Sequence, residues 1–317
     1  MQNRTEAYKP SLFWFSIFAL VCSLFLLYAG GFTTSIEAGM AFLDWPLSDG
    51  SLNPEGWTQD RLKRAEHSHR LLGMQLGIFS ITLFLWIWLK EARSWLRNLA
   101  GLTLLIIVIQ GLLGGLRVKF DRLNIGSESN LVAQSFAILH ASGAQIVLCL
   151  LITIAVASSK WWTENTKITD LKPLKGVSWI GIVACCAIFL QIVIGAVVRH
   201  GNAGLAISSF PLSSPDGALL PNTWNWAVAI NFAHRIGALV TTATILLFAA
   251  QIWIFNRNLK PFLFLSLIPI ALVASQFLFG ALIVWTRINE HVATLHMLFG
   301  AFLLASCWML TFVSFRL

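Results

Sequence analysis

Stretches of about 20 apolar residues recur along the chain, separated by segments that hold most of its prolines and charged residues. A helix of that length spans the hydrocarbon core of a bilayer, because each residue adds about 1.5 Å of rise. The pattern predicts eight membrane-spanning helices near 11–32, 66–89, 95–117, 132–158, 177–199, 226–255, 262–286 and 290–314. We therefore expect an all-α integral membrane protein in contact with the lipid bilayer.

The composition of the chain excludes several other classes of protein. Hydrophobic residues make up 57% of the 317 residues, charged residues make up 11%, and the mean hydropathy is +0.74. Soluble domains carry about 25% charged residues, so this chain could not cover a water-exposed surface. An ordinary soluble enzyme, a disordered protein and a nucleic-acid binder are excluded. The net charge of +8 is better accounted for by loops that favour one side of a membrane.

Loop charges predict the orientation, because lysine and arginine accumulate in cytoplasmic loops. One side of the membrane holds most of them: Arg4, Lys9, Lys90, Arg93, Arg97, Lys160, Lys167, Lys172, Lys175, Arg257, Lys260 and Arg316. This side is predicted to be cytoplasmic and to hold both termini. The long segments 33–65 and 200–225 then face outward.

The chain repeats itself once. Gly30, Ala38-Gly39 and Pro46-Leu47 recur 165 residues later as Gly195, Ala203-Gly204 and Pro211-Leu212, and His69-Arg70 recurs as His234-Arg235. Each half contains an even number of predicted spans, so both halves share one orientation. The sequence predicts two parallel-repeat four-helix bundles, residues 1–160 and 161–317.

Four of the seven histidines lie inside the second, fourth, sixth and eighth predicted spans. They are His69, His140, His234 and His296. Each lies roughly two turns beyond the outer start of its helix, about 10 Å into the hydrocarbon region. Polar groups at that depth are costly and usually functional. Two histidines on facing helices of a bundle can hold a haem from both sides, so we predict a bis-histidine site in each half.

The same four histidines could instead bind a metal such as zinc or copper, although such a metal would want more ligands nearby. A hydrogen-bonded packing role also remains open for each of them. Cysteines offer no additional site, because they lie within the spans without a CxxC spacing: Cys22, Cys149, Cys185, Cys186 and Cys307. They are interpreted as small packing residues. His67, His200 and His291, at or near outer helix ends, are interpreted as interfacial.

The two halves differ at one acidic position. Glu66 lies one turn before His69 and on the same helix face, whereas the equivalent residue before His234 is Asn231. This difference indicates a reactive site in the first half and an electron-carrying or structural site in the second. Glu66 could instead cap its helix or pair with Arg70.

Arginines adjoin the predicted ligands. Arg70 and Arg235 follow the first histidine of each half directly and are candidates for binding haem propionates; Arg117 and Arg199 are further candidates. The alternative for these side chains is that they extend to the interface without binding a ligand.

The order of these features resembles the haem A synthase family. The Glu-x-x-His-Arg motif of residues 66–70, the single histidines in three later spans and the stretch that ends in DWPL before Glu66 carry the resemblance over nearly the whole chain. Some members have cysteine pairs in the outer loops, which this chain lacks.

The resemblance implies an oxidoreductase that converts the C8 methyl group of haem O to the formyl group of haem A. It implies that His69 and His140 flank the substrate haem, that His234 and His296 are the axial ligands of haem b, and that Glu66 serves the chemistry. The haem sites would lie toward the outer face of a bacterial cytoplasmic membrane. A haem O synthase would supply the substrate, an unidentified donor the electrons, and terminal oxidase assembly would take the product. Homo-oligomerisation is left open, and no nucleic acid is expected.

A di-haem b-type electron carrier linked to quinone is the main alternative, since it needs the same four histidines. It gives Glu66 no special task. A transporter would fit the repeat but not the matched histidines.

Overall fold

The computed structural model describes residues 4–123, 130–164, 175–214, 216–255 and 260–316. Within these residues the chain is helical, and eight helices are long and apolar enough to cross a membrane. This confirms the predicted all-α class and the eight spans. The helices are α1 Pro10–Ser35, α2 Arg61–Lys90, α3 Ser94–Leu123, α4 Leu131–Ser158, α5 Lys160–Glu164, α6 Lys175–His200, α7 Trp226–Phe255, α8 Lys260–Trp285 and α9 Glu290–Ser314.

Two differences from the predicted bounds have local causes. Helix α2 begins at Arg61 rather than near 66, because the Asp60 carboxylate accepts hydrogen bonds from the first backbone N–H groups of the helix. The first turn of α2 contains Arg61, Lys63 and Arg64, so hydropathy does not identify it as part of a membrane span. The five-residue helix α5 is too short and polar to have been predicted from hydropathy.

The chain divides into two compact units, residues 1–169 and 170–317. In the first unit α1 and α3 each pack against both α2 and α4, so α2 and α4 lie on opposite sides of a ring of four helices. In the second unit α6 and α8 each pack against both α7 and α9. That the two units are parallel repeats stays a prediction. Large apolar side chains point outward from the helices, as a bilayer requires.

A buried ion pair lies in the short connection between α2 and α3 of the first unit. Arg93 donates from Nε and Nη2 to the two carboxylate oxygens of Glu91, both at 2.9 Å, and from Nη1 to the Ala157 carbonyl at the end of α4. Lys9, before α1, lies 3.6 Å from the same carboxylate. Burial alone would raise the pKa of Glu91, but the hydrogen bonds and positive charges of Arg93 and Lys9 outweigh it and lower the pKa.

We expect Glu91→Gln to destabilise the first unit by about 2 kcal/mol at neutral pH, since it removes a charged partner of a buried arginine. A lowered carboxylate pKa stabilises the fold above the ordinary glutamate value of about 4.3, and that contribution is lost as the pH falls through the lowered pKa. Melting temperatures in detergent should therefore differ between wild type and variant at pH 7 and converge in acid. Glu6→Gln, at an exposed carboxylate, is the control; an equal effect of the two changes would contradict the prediction.

Candidate functional site

The structure brings the four span histidines together as two pairs, one in each unit. His69 on α2 faces His140 on α4 with ring centroids 6.3 Å apart and planes at 82°. His234 on α7 faces His296 on α9 at 6.4 Å and 76°. In each unit the two rings come from helices on opposite sides of the ring of four, so each pair spans the middle of its unit.

The separation within each pair suits one metal ion between two imidazoles. A metal–imidazole bond is about 2.0 Å, and a nitrogen lies about 1.1 Å from the centre of a five-membered ring with bonds of roughly 1.33 Å. Two rings on opposite sides of one ion therefore have centroids about 6.2 Å apart. A direct hydrogen bond with nitrogens about 2.9 Å apart would bring the centroids to about 5.1 Å. Both observed distances are close to the metal-bridged value and exclude a direct hydrogen bond of this kind; they also lie in the range of about 4.5–7 Å of ordinary edge-to-face ring contacts.

The ring nitrogens of His140 are arranged so that Nε2 remains available as a ligand. His140 donates from Nδ1 to the Gln110 carbonyl at 3.0 Å, which leaves the Nε2 lone pair unprotonated. Nδ1 of His234 lies 3.0 Å from the side-chain amide of Gln191. Among the residues that the structure describes, none of the four Nε2 atoms has a hydrogen-bond partner.

A glycine on the preceding helix clears space for each histidine ring. A Cβ atom on Gly30 would lie 2.7 Å from Cε1 of His69, and one on Gly195 would lie 3.0 Å from Cε1 of His234. The corresponding distances are 3.4 Å from Gly114 to His140 and 3.8 Å from Gly280 to His296. A side chain at the first two positions would displace the ring, so these glycines belong to the site.

Glu66 is buried under the loop that joins α1 to α2, with 4% of its surface exposed. Its carboxylate accepts a short hydrogen bond from Arg70, and its Oε2 accepts one from the Phe42 backbone N–H at 3.0 Å. The pairing with Arg70 that the sequence left open is therefore present. It does not by itself exclude a role in chemistry, because the carboxylate lies one turn from His69 on the same helix.

Both predicted propionate-binding arginines hold loops, Arg70 the loop between α1 and α2 and Arg235 the loop between α6 and α7. Arg70 donates to the Asp44 carbonyl at 2.7 Å and to the Phe42 carbonyl at 3.3 Å. Arg235 donates to the Ser209 and Ile207 carbonyls at 2.8 and 3.0 Å. Each guanidinium thus ties the helix that carries a paired histidine to the loop outside it. That Arg70 and Arg235 also bind a haem carboxylate stays a prediction.

The second unit holds its loop without a carboxylate. Asn231, at the position equivalent to Glu66, donates from Nδ2 to the Ala203 and Gly204 carbonyls at 2.8 and 3.1 Å and accepts from Arg235 at 3.2 Å. A neutral amide is therefore sufficient to anchor this loop. Loop anchoring alone does not account for the negative charge of Glu66.

Electrostatics around the first pair involve two more side chains. Arg117 lies against Gly39 of the loop between α1 and α2, close enough to both His69 and His140 to interact with them electrostatically. In the loop, burial acts to raise the pKa of Asp44, but backbone N–H groups of Gly50 and Asp49 and the charge of Arg70 outweigh it, and the pKa is lowered.

Sequence reasoning missed two features of the site. The first is the burial of His67: only 2% of it is exposed, its Nδ1 lies 3.0 Å from the Ser48 hydroxyl, and its ring packs on Trp57. The second feature is a glutamine four residues before three of the glycines that adjoin the histidine rings, at positions 110, 191 and 276. The repeated Gln-x3-Gly spacing was a signal for it.

The fold and the paired histidines define an integral membrane protein with one pair of opposed histidines in each of two units. The chain belongs to the cytochrome oxidase assembly protein family, whose family model matches residues 58–308. It is 28% identical to Heme A synthase of Geobacillus kaustophilus over 92% of this chain and 87% of that protein. It is 30% identical to Heme A synthase of Staphylococcus haemolyticus, over 92% and 91%, and to that of Halalkalibacterium halodurans, over 91% and 92%.

Proposed function

We infer that this chain is a haem A synthase, an oxidoreductase that converts the C8 methyl group of haem O to a formyl group. Family membership and the similarity to heme A synthases over most of both chains support this activity. The observation in the structure that carries it is the pair of opposed histidines in each unit, at a separation suited to one iron.

The donor set favours haem over a simple metal ion. Zinc and copper usually take three or four protein ligands, and no group of three or more His, Cys, Asp or Glu suited to a metal occurs among the described residues. Two opposed imidazoles without a third ligand suit an iron that already has four porphyrin nitrogens. The residues present therefore fit haem, and the glycines at 30 and 195 keep the space beside the rings open.

We propose the following roles. His69 and His140 flank the substrate haem of the first unit, and His234 and His296 hold haem b in the second. When bound, the haem iron supplies the oxidative and electron-transfer chemistry. Glu66 places a negative charge beside the first site, where it stabilises positive charge or moves a proton at its carboxylate. The second unit lacks that charge, which suits a site that only transfers electrons.

We further propose that both termini are cytoplasmic and that both histidine pairs lie toward the outer face of a bacterial cytoplasmic membrane. The charge distribution of the loops supports this orientation. A membrane haem O synthase would supply the substrate and a separate donor the electrons, while the product would serve terminal oxidase assembly.

Co-expression with a haem O synthase in a host that makes no haem A tests the function. Haem A or its hydroxylated precursor, extracted from the purified chain beside haem b, is the expected result. Haem b alone, with haem O abundant in the membranes, would favour the di-haem electron carrier or the absence of the electron donor from that host. A di-haem electron carrier would not need the carboxylate of Glu66, so the presence of Glu66 disfavours this alternative.

The glycines that make room for the histidine rings give a further prediction. Gly195→Ala places a Cβ 3.0 Å from the His234 ring, so the ring must shift, and we expect haem content of the second unit to fall at least about tenfold, as for lost support of a ligand. Pyridine haemochrome assays of purified protein measure this. Gly77→Ala, where no other atom lies within 4 Å of the built Cβ, is the control. Equal haem content in the two variants would contradict the proposal that Gly195 makes room for the His234 ring.

A further inference from the structure

Arg117 lies on the face of α3 that adjoins the first histidine pair. It follows Gly114, the glycine beside the His140 ring, by three residues, and residues three apart share a helix face. Its Cα atom is therefore only about 4.5 Å further along the helix axis than that of the glycine. The guanidinium is close enough to His69 and His140 to interact with both electrostatically. Arg117 thus places a positive charge beside the pair.

The fold holds this guanidinium in place. Its Nη atoms lie against Gly39 in the loop between α1 and α2, where any side chain would overlap them. Its Nε lies 3.7 Å from Oδ2 of Asp121, one turn further along α3, and 25% of the Arg117 side chain is exposed. The side chain is therefore packed between the loop and its own helix, and does not extend freely to the membrane interface.

An arginine at this position is not a requirement of the repeated fold. The equivalent residue of α8 in the second unit is Ile283. The loop contact differs in the same way: Gly204, the counterpart of Gly39, lies against Ile288, whose Cδ1 would be 3.0 Å from an added Cβ atom. The second unit therefore makes an apolar contact where the first unit places the cation Arg117.

The second unit has an arginine of its own near its histidine pair, but on a different helix. Arg199 follows Gly195, the glycine beside the His234 ring, by four residues of α6, and it interacts electrostatically with His296. By the sequence repeat, α6 corresponds to α1 and not to α3. Helices α1 and α3 lie on opposite sides of the first unit. The side on which this cation lies therefore differs between the two units, as expected if each arginine serves a ligand with its own orientation.

A cation at this place fits a carboxylate of haem. A haem held between His69 and His140 lies across the line that joins the two rings, so its edges face α1 and α3, which pack between α2 and α4. Haem carries its two propionates together at one edge, and arginine binds carboxylates through charge-assisted hydrogen bonds. Arg70, the other arginine near the pair, already donates to loop carbonyls and to Glu66.

We propose that Arg117 binds a propionate of the substrate haem and thereby sets which edge of the porphyrin faces α3. The C8 methyl group shares its pyrrole ring with one of the two propionates, so the same contact brings the reacting methyl to that edge. This inference rests on the proposed function, because it assigns an orientation to the substrate of that reaction.

The loop between α1 and α2 links this cation to the proposed acid–base group. The loop contacts Arg117 at Gly39, and three residues later the Phe42 N–H donates to Oε2 of Glu66 at 3.0 Å. Three residues span at most about 11 Å. A methyl group held at the α3 edge by Arg117 therefore lies at the end of the site where Glu66 supplies its negative charge.

Binding of haem O and of its dimethyl ester, in which both carboxylates are blocked, tests the proposal. The full chain is purified from a host that makes haem b but no haem O, and each compound is titrated in detergent and followed by its absorption. The wild type should bind haem O at least about tenfold more tightly than the ester, as expected for one hydrogen bond to a charged group. Arg117→Gln should lose this preference. Arg117→Lys, which keeps the charge, should retain part of it.

Arg64→Gln, at an exposed arginine in the first turn of α2, is the control and should keep the wild-type preference. Equal binding of haem O and its ester by the wild type, or an unchanged preference in Arg117→Gln, would overturn the inference and leave haem A formation standing. If Arg117→Gln fails to fold, Arg117→Lys decides, because lysine lacks the paired donors of arginine and an undiminished preference would overturn the inference. A wild-type chain that neither binds haem O nor forms haem A would overturn both the inference and the proposed function.

Discussion

Replacing His234 by alanine is expected to remove haem from the second unit while the first unit keeps its own. The His234 and His296 rings lie 6.4 Å apart, and one of them alone supplies only half of the axial ligation. Haem per chain should therefore fall by about half. Because the second unit is the proposed route for electrons, haem A formation should fall at least about 100-fold, more than the loss expected for an outer-shell partner.

The control is a histidine outside the pairs. His291 lies at the start of α9, with 59% of its side chain exposed and Nε2 3.7 Å from the Glu290 carboxylate. His291→Ala should retain both haems and full activity. A His234→Ala chain that keeps full haem content would show that the second pair is a packing arrangement, and the bis-histidine assignment of that unit would fail.

Hydropathy alone predicted the number and class of helices, because crossing a bilayer demands about 20 consecutive apolar residues and leaves a strong pattern. It could not place the start of α2, since the charged turn from Arg61 is made helical by the Asp60 cap. The presence of one histidine within each of four alternate spans was also readable from the sequence. Which of them pair, and at what separation, depends on which helices face each other across each unit, and a linear pattern does not contain that.

The arginines show the limit most clearly. The sequence predicted that Arg70 and Arg235 bind haem propionates, because each directly follows a predicted histidine ligand. In the structure both guanidiniums donate to loop carbonyls. Backbone acceptors have no signature in a sequence, because every residue carries one. The buried position of His67 was missed for the same reason, since the loop that covers it has no regular pattern.

Glu66→Gln is expected to abolish haem A formation while leaving the haem content and the fold intact. Glutamine keeps one oxygen acceptor, which serves either the Phe42 N–H or Arg70, and Arg70 retains its hydrogen bonds to loop carbonyls. Asn231 shows that a neutral amide anchors the equivalent loop in the second unit. What the variant lacks is the negative charge and the exchangeable proton one turn from His69. Acid–base groups of this kind contribute about 10²–10⁴-fold, so product formation should fall by at least about 100-fold.

Haem extraction and chromatography from the co-expressing host measure both quantities at once. Glu55→Gln is the matched control, because it removes a carboxylate from the exposed part of the loop between α1 and α2. It should leave product and haem unchanged. Full product from Glu66→Gln would reduce Glu66 to a loop anchor, and the contrast with Asn231 would then lose its functional meaning. Loss of haem from the first unit, with no product, would instead make the carboxylate a structural requirement of the site rather than a participant in the reaction.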